Sequence, residues 1–333
     1  LAASIASTLD VERVELFTLP ALSVEDQIDL ELLVDGVTRG ASITRHSVRD
    51  PLFQVLVADG GEKPQHFDAH PPLTYRGWID GDPGDWIAAS VRDGALWGTL
   101  RIDGELWGVQ PAPGDRPPGE PALHVSYRMR DILGGDHTCG VSPDKPWLIL
   151  PEGIPGELME GGIAGNPCDN YTQIAFDADF EFYQSNQSSV PNTINDIESI
   201  VNGMSAIYES ELNITFGITT IIVRSSPSDP YTTNDPDDLL DQFRAEWNAN
   251  QGSVSRDVAH LMTGKSLIGT TIGIAWTGVV CTSPSWAYGL SESKFSFNFN
   301  NRVALTSHEV GHNFNAAHCN GASDCAIMCS SLG

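Results

Sequence analysis

The chain has 333 residues, 41% of them hydrophobic, with 44 acidic against 18 basic side chains and a net charge of -26. That length allows about two domains, each with its own core. The acidic surplus excludes nucleic acid and anionic membrane as natural partners, and no apolar run approaches the ~20 residues of a transmembrane helix.

The surplus is read as a solvated acidic surface. The chain begins Leu1-Ala2-Ala3-Ser4 without Met, which suits a processed or partial sequence. Short strands are predicted over Val11 to Leu19, Ile28 to Val34, and Phe53 to Ala58 after Pro51. Each alternates or is β-branched and is broken by Gly, Asp or Pro. From Tyr75 a meander is predicted: Tyr75 to Ile79, a turn over Asp80-Gly81-Asp82-Pro83-Gly84, then Trp86 to Val91. Arg92-Asp93-Gly94 turns again into Leu96 to Ile102, and Asp103-Gly104 is a hairpin signal before Glu105 to Val109. The tryptophans of this meander are read as core and edge residues. Residues 111–121 are Pro- and Gly-rich loop, followed by His124-Val125-Ser126-Tyr127-Arg128 and His137-Thr138-Cys139-Gly140-Val141.

The domains implied are a β-rich unit over 1–141, a Pro- and Gly-rich linker over 142–167, and a second domain over 168–333. In the second domain Ile174 to Asp179 reads as a strand. Pro191 to Glu211 reads as a helix capped by Asn192 or Thr193, with Ile194, Ile197, Val201, Met204 and Ile207 at helical spacing. Ile214 to Val223 is a β-branched strand. Asp235 to Asn250 is a helix with Pro236 in its first turn. Val258 to Met262 and Thr271 to Val280 are strands, and Asn300 or Asn301 caps a last helix. Interleaved strands and helices predict an α+β arrangement, a mixed sheet with helices packed on it.

That last helix carries His308-Glu309-Val310-Gly311-His312, with His318 six residues further on. Two histidines four apart stand on one helix face and can hold one metal ion. His318 requires the chain to turn back as a third ligand. Three protein ligands leave a fourth position for water, the pattern of a catalytic zinc. Glu309 is placed to reach that water as a base without ligating. A thiolate is also a strong zinc ligand, so Cys139 from upstream can fill the fourth position, displace the water and hold the chain latent.

Six cysteines are present, Cys139, Cys168, Cys281, Cys319, Cys325 and Cys329. No redox CxxC occurs, and their density near the metal motif points to disulfides and a secreted, extracellular protein. Spacing does not fix the pairing. Cys319–Cys325 and Cys281–Cys329 are the pairs suggested by position, and they leave Cys168 over.

His308-Glu309-x-x-His312-x-x-Asn315-x-x-His318, followed by Met328 in Cys325-Ala326-Ile327-Met328, resembles the metzincin zinc endopeptidases, most of all the reprolysin or adamalysin (ADAM-like) group. The 73–109 meander and Tyr127-Arg128 resemble that group's propeptide domain, and His137 to Val141 resembles its cysteine switch. The resemblance implies a metzincin-like catalytic domain built on a mixed, mostly parallel twisted sheet with packed helices, preceded by a β-rich prodomain. It implies a zinc endopeptidase in latent proenzyme form. Its Zn2+ would be held by His308, His312 and His318, with Cys139 in the latent form, and Glu309 would be the catalytic base. Ca2+ is a second cation that it allows. A polypeptide substrate would lie along Ile272, Gly273, Ile274, Ala275, Trp276, Thr277 and Gly278 by strand addition, and Met328 would form the floor beneath the ligands. Activation would come from autolysis or another protease, since the linker has no dibasic run. The group usually has Gly at the position of Asn315, where the chain needs positive φ, a conformation Asn tolerates. The chain stops five residues after Met328, where the group continues with a pocket wall and a final helix, so a truncated end is expected. The rival readings are an inactive binding or inhibitory module of the same fold, and a zinc hydrolase of a non-protein substrate.

Overall fold

The computed structural model describes residues 1–61, 63–114, 120–142, 145, 148, 170–320 and 327–331. Two eight-stranded sheets organise them. The first is antiparallel throughout. Its strands are β1 (Glu15–Leu19), β2 (Gln27–Val34), β3 (Val37–Arg45), β6 (Thr74–Ile79), β7 (Asp82–Arg92), β8 (Ala95–Ile102), β9 (Glu105–Pro111) and β10 (Ala122–Arg128). They run in the order β1-β10-β9-β8-β7-β6-β3-β2. Four two-residue Asp-Gly turns make the hairpins: Asp35-Gly36, Asp80-Gly81, Asp93-Gly94 and Asp103-Gly104 all have positive φ at both residues. That is the left-handed turn whose twist matches paired strands. One turn is shorter than the sequence suggests. Asp82-Pro83-Gly84 belongs to β7, and a register shift at Trp78/Ile79 absorbs the change.

The second sheet contains β4 (Arg49–Ala58), β5 (Gln65–Phe67), β11 (Thr138–Cys139), β12 (Asn170–Ala178), β13 (Ile214–Arg224), β14 (Val258–Thr263), β15 (Thr271–Ala275) and β16 (Tyr288–Glu292). The order is β11-β15-β16-β14-β12-β13-β4-β5. Only the β15–β16 and β4–β5 pairs are antiparallel; the rest are parallel. The helices are α1 (Ala2–Thr8), α2 (Phe180–Ser185), α3 (Val190–Leu212), α4 (Pro236–Asn250) and α5 (Phe299–Asn313). This is an α+β fold whose second sheet is mixed and mostly parallel.

Several expectations are corrected. Phe53 to Ala58 does not join the N-terminal sheet. It lies in β4, parallel to β13, with Gln54 opposite Thr220 and Val57 opposite Val223. The α3 cap is Ser189, whose side chain accepts from Asn192 N, and the α5 cap is Asn298, which accepts from Asn300 N and Asn301 N. Thr271 to Val280 is a strand only as far as Ala275. Beyond it, Gly278 N donates to His312 O at 2.9 Å and folds the segment onto the end of α5. The strand β16 and the helix α2 have no counterpart in the sequence reading.

The helix α3 reads as amphipathic, yet both of its faces are covered. Residues 193–208 are all buried, polar ones included. Ile194, Ile197, Val201 and Met204 face the second sheet's core, which also takes in Val55, Trp86 and Ala88 from the N-terminal segment. The polar side meets the first sheet. Asn202 Nδ2 donates to Tyr75 O and Ala89 O, and Arg76 donates to Asn202 Oδ1 at 2.7 Å. Asp196, 1% exposed, accepts from Arg92 (2.9 Å), Arg302 (2.6 Å) and Lys294 (2.6 Å).

Burial alone would raise the Asp196 carboxyl; the three cations outweigh it and hold the group well below the usual carboxylate range. A depressed folded value means that this group stabilises the fold above its unfolded pKa of ~3.9, and that the contribution is lost as pH falls through the folded value. Asp196→Asn leaves three cations facing one another in a buried site. It is expected to cost about 3–5 kcal/mol at neutral pH, read from urea unfolding.

Candidate metal centre

The site is assembled by the C-terminal half of α5 and the turn after it. His308, Glu309 and His312 are carried on this helix and are buried. The helix ends in a turn in which Asn315 N donates to His312 O and Ala316 N to Gly311 O. Asn315 has φ 72°, the left-handed value its position requires. That turn returns His318 to the helix. The Nε2 atoms of the three histidines lie 3.0, 3.1 and 3.2 Å from one another.

The outer ring nitrogens are also engaged. His308 Nδ1 is 2.6 Å from Ile327 O, and His312 Nδ1 is 2.8 Å from Ala316 O. Carbonyl oxygens only accept, so these contacts assign the ring protons to Nδ1. The Nε2 lone pairs of both rings then point at each other, and two lone pairs cannot hydrogen-bond. A cation between them resolves the conflict. Nitrogens ~2.05 Å from a tetrahedral zinc lie ~3.3 Å apart, close to the spacing here. Burial lowers His308 to about 3 and His312 to about 4, and it lowers His318 as well. The rings are therefore neutral at pH 7, the form that ligates.

Cys139 joins the same cluster. Its Sγ is 3.4 Å from His312 Nε2 and 3.6 Å from Glu309 Oε2, and the donor atoms of Cys139, His308, His312 and His318 all lie within 4.8 Å. No second cluster of three or more His, Cys, Asp or Glu donors occurs among the described residues, so nothing there supports a Ca2+ site. Burial, then the Glu309 charge, pushes the Cys139 thiol well above its ordinary range. Glu309 is fully buried, and burial raises its carboxyl to about 8. Its Oε1 has no hydrogen-bond partner among the described residues. Gly273 makes room for it, since a Cβ there would collide with Glu309 Oε1.

Ile272, Gly273, Ile274 and Ala275 lie in β15, while Trp276, Thr277 and Gly278 lie past its end. The expected free edge is already paired. Thr138 sits opposite Thr271 and Cys139 opposite Gly273, Gly140 N donates to Gly273 O at 2.7 Å, and Thr277 N donates to Leu148 O at 2.8 Å. On its other side Cys139 N donates to Ser330 O at 3.1 Å. Met328 lies under the ligand helix, where a Cβ on Gly311 would come 2.7 Å from its Sδ. Leu148 and Ser330 were not legible as parts of this site, because each acts through its backbone; Gly273 was read as part of the substrate strand, but not as the position whose missing side chain makes room for Glu309. Cys281 carries a free thiol, so the Cys281–Cys329 pairing is not formed. Cys168 and Cys325 lie outside the described residues.

An HExxH helix with a third histidine returned by a left-handed turn, beside a mostly parallel sheet, defines a metallopeptidase of the metzincin class. Residues 169–332 match the family model Reprolysin_5, Metallo-peptidase family M12, and this part of the chain belongs to the reprolysin-like, ADAM-type metzincins. The chain is similar to "A disintegrin and metalloproteinase with thrombospondin motifs 1" of Mus musculus, 25% identical over 337 residues that cover 84% of this chain and 32% of that protein. It thus spans about a third of the length of the curated relative it matches. No described helix is long and apolar enough to cross a membrane.

Proposed function

We propose that the chain is a zinc-dependent endopeptidase in latent form. His308, His312 and His318 hold the metal, and Cys139 occupies its fourth position. The observation that carries this reading is the Cys139 sulfur 3.4 Å from His312 Nε2, inside the histidine cluster and against Glu309. Bound zinc supplies a Lewis acid and a water of lowered pKa. Glu309 takes the proton of the attacking water and passes it to the leaving amine. The polypeptide substrate replaces residues 138–140 along Ile272 to Ala275, using the backbone groups that now pair with them. Met328 supports the ligand helix from below.

Residues 1–141 act as the propeptide with its switch, 142–167 as the linker where processing by an activating protease begins, and 168–333 as the catalytic domain. Secretion follows from the cysteine set. The inactive-module reading is disfavoured because Glu309 is present, buried and in reach of the cluster. The non-protein substrate is disfavoured because the edge strand offers backbone groups, the recognition surface of an extended peptide.

The test is digestion of gelatin or a generic peptide by the full chain carrying Cys139→Ala. Cleavage is expected, its loss on chelation is expected to be complete, and zinc is expected to restore it. A chain with one zinc bound that cleaves no peptide would overturn the reading.

A further inference from the structure

The strands β12 to β16, all contributed by residues 170–292, form the middle of the second sheet. Both of its edges are closed by the N-terminal segment: β11 pairs with β15 at one end, and β4 with β13 at the other. The two closures are unequal. The strand β11 has two residues; β4 has ten. Val55 of β4 is 1% exposed and belongs to the same core as Ile174, Ile221 and Phe216. Arg49 forks onto Glu198 Oε1 and Oε2 at 2.5 and 3.2 Å, and the Glu198 side chain is 1% exposed. Asp50 Oδ2 accepts from Tyr171 OH and Gln173 Nε2 of β12.

The metal-bearing helix is held by the same unit. Tyr127 OH donates to the Asn298 cap at 2.7 Å, and Thr99 Oγ1 donates to Asn300 Oδ1 at 2.5 Å. Separating the two parts would take Arg49 from Glu198, Arg76 from Asn202, Thr99 from Asn300 and Arg92 from Asp196. Buried polar groups resist that loss.

We infer that residues 1–131 are a permanent, non-covalent partner of the catalytic sheet, docked on the β13 edge through β4. A cut in the linker does not release them. Cys139, still joined to that partner from its N-terminal side, stays at the metal centre at high local concentration. The part of this inference that concerns Cys139 rests on the latent-peptidase reading; the docking rests on the sheet alone.

The experiment uses the full chain with a specific-protease site in place of residues 155–160. A second version carries a further site between Gly134 and Gly135, in the exposed stretch before β11. After digestion, gel filtration and gelatin cleavage are both read. With the linker cut alone, the two pieces are expected to elute together at the uncut position, with activity within about twofold of the uncut chain. With both cuts, the N-terminal piece still co-elutes, and activity rises to at least that of the Cys139→Ala chain.

An N-terminal piece that elutes by itself after the single cut overturns the inference. If the Cys139→Ala and doubly cut chains both cleave nothing, the peptidase reading fails, while co-elution still decides the docking. Should the inserted sites disturb folding, amide exchange on the unmodified chain decides instead. Gln54 to Ala58 are expected to exchange as slowly as β13, and exchange about a hundredfold faster with β13 protected counts against the docking.

Discussion

Glu309→Ala is expected to lower peptide cleavage by about 10²–10⁴-fold in a chain freed of its Cys139 block, with one zinc per chain retained. Glu309 follows the first histidine on α5 and is fully buried, yet it stands outside the four-donor cluster. Its Oε2 accepts from Cys139, and its Oε1 has no hydrogen-bond partner among the described residues. A carboxyl in that state is positioned for a proton that arrives with the substrate side of the reaction. The tight contact with Gly273 fixes where it points. Glu309→Gln keeps the volume and removes the base, so it should lose as much activity as the alanine variant with less effect on folding. The measurement is kcat/KM together with metal content. Loss of zinc in step with activity would make Glu309 a support of the ligands and not the base.

The histidine cluster was legible in the sequence because its signal is local. His308 and His312 are one helical turn apart, and Asn315 is the non-Gly residue best suited to the left-handed turn that brings His318 back, as its φ of 72° bears out. The turns at Asp93-Gly94 and Asp103-Gly104 were legible for the same reason: the turn residues themselves carry the geometry. What the sequence hid is non-local. Phe53 to Ala58 reads correctly as a strand, but nothing in its own pattern names the sheet it joins. The partner of β4 is β13, more than 150 residues away.

The caps were misplaced because Asn192, Asn300 and Asn301 satisfy the same rule as Ser189 and Asn298, and tertiary bonds choose between them. Tyr127 and Gln110 hold Asn298 and Phe299 at the start of α5. The strand β16, Tyr288-Gly289-Leu290-Ser291-Glu292, has the composition of a loop. It is a strand because β14 and β15 flank it on both sides. The polar face of α3 was hidden for a similar reason. Asp196, Glu198 and Asn202 look solvent-facing until Arg92 and Arg76 from the first sheet and Arg49 from β4 come down on them.

Cys139→Ala is expected to raise the activity of the uncut chain by about a hundredfold, a change of ~2.7 kcal/mol, and still leave it below that of a chain whose edge strand is bare. In the latent-peptidase reading two separate things block the cleft. One is the sulfur, 7% exposed as a residue, which lies among the histidines and receives a bond from Val141 N at 3.3 Å. The other is the backbone on either side of it. Thr138 N donates to Thr270 O at 2.8 Å, Cys139 N to Ser330 O, and Gly140 N to Gly273 O. Gly140 lies so close to β15 that a Cβ there would come 2.9 Å from Ile274 Cβ. Alanine removes the first block and keeps the second, because none of these backbone bonds uses the side chain. The size of the increase therefore divides latency between metal ligation and strand pairing. A full return of activity would assign latency to the sulfur alone. An unchanged rate, with zinc present, would assign it to the paired strand and remove Cys139 from the role given to it here. Gly140→Val supplies the complementary measurement: the thiol is kept, the strand is pushed off Ile274, and activity should rise only as far as the sulfur lets go.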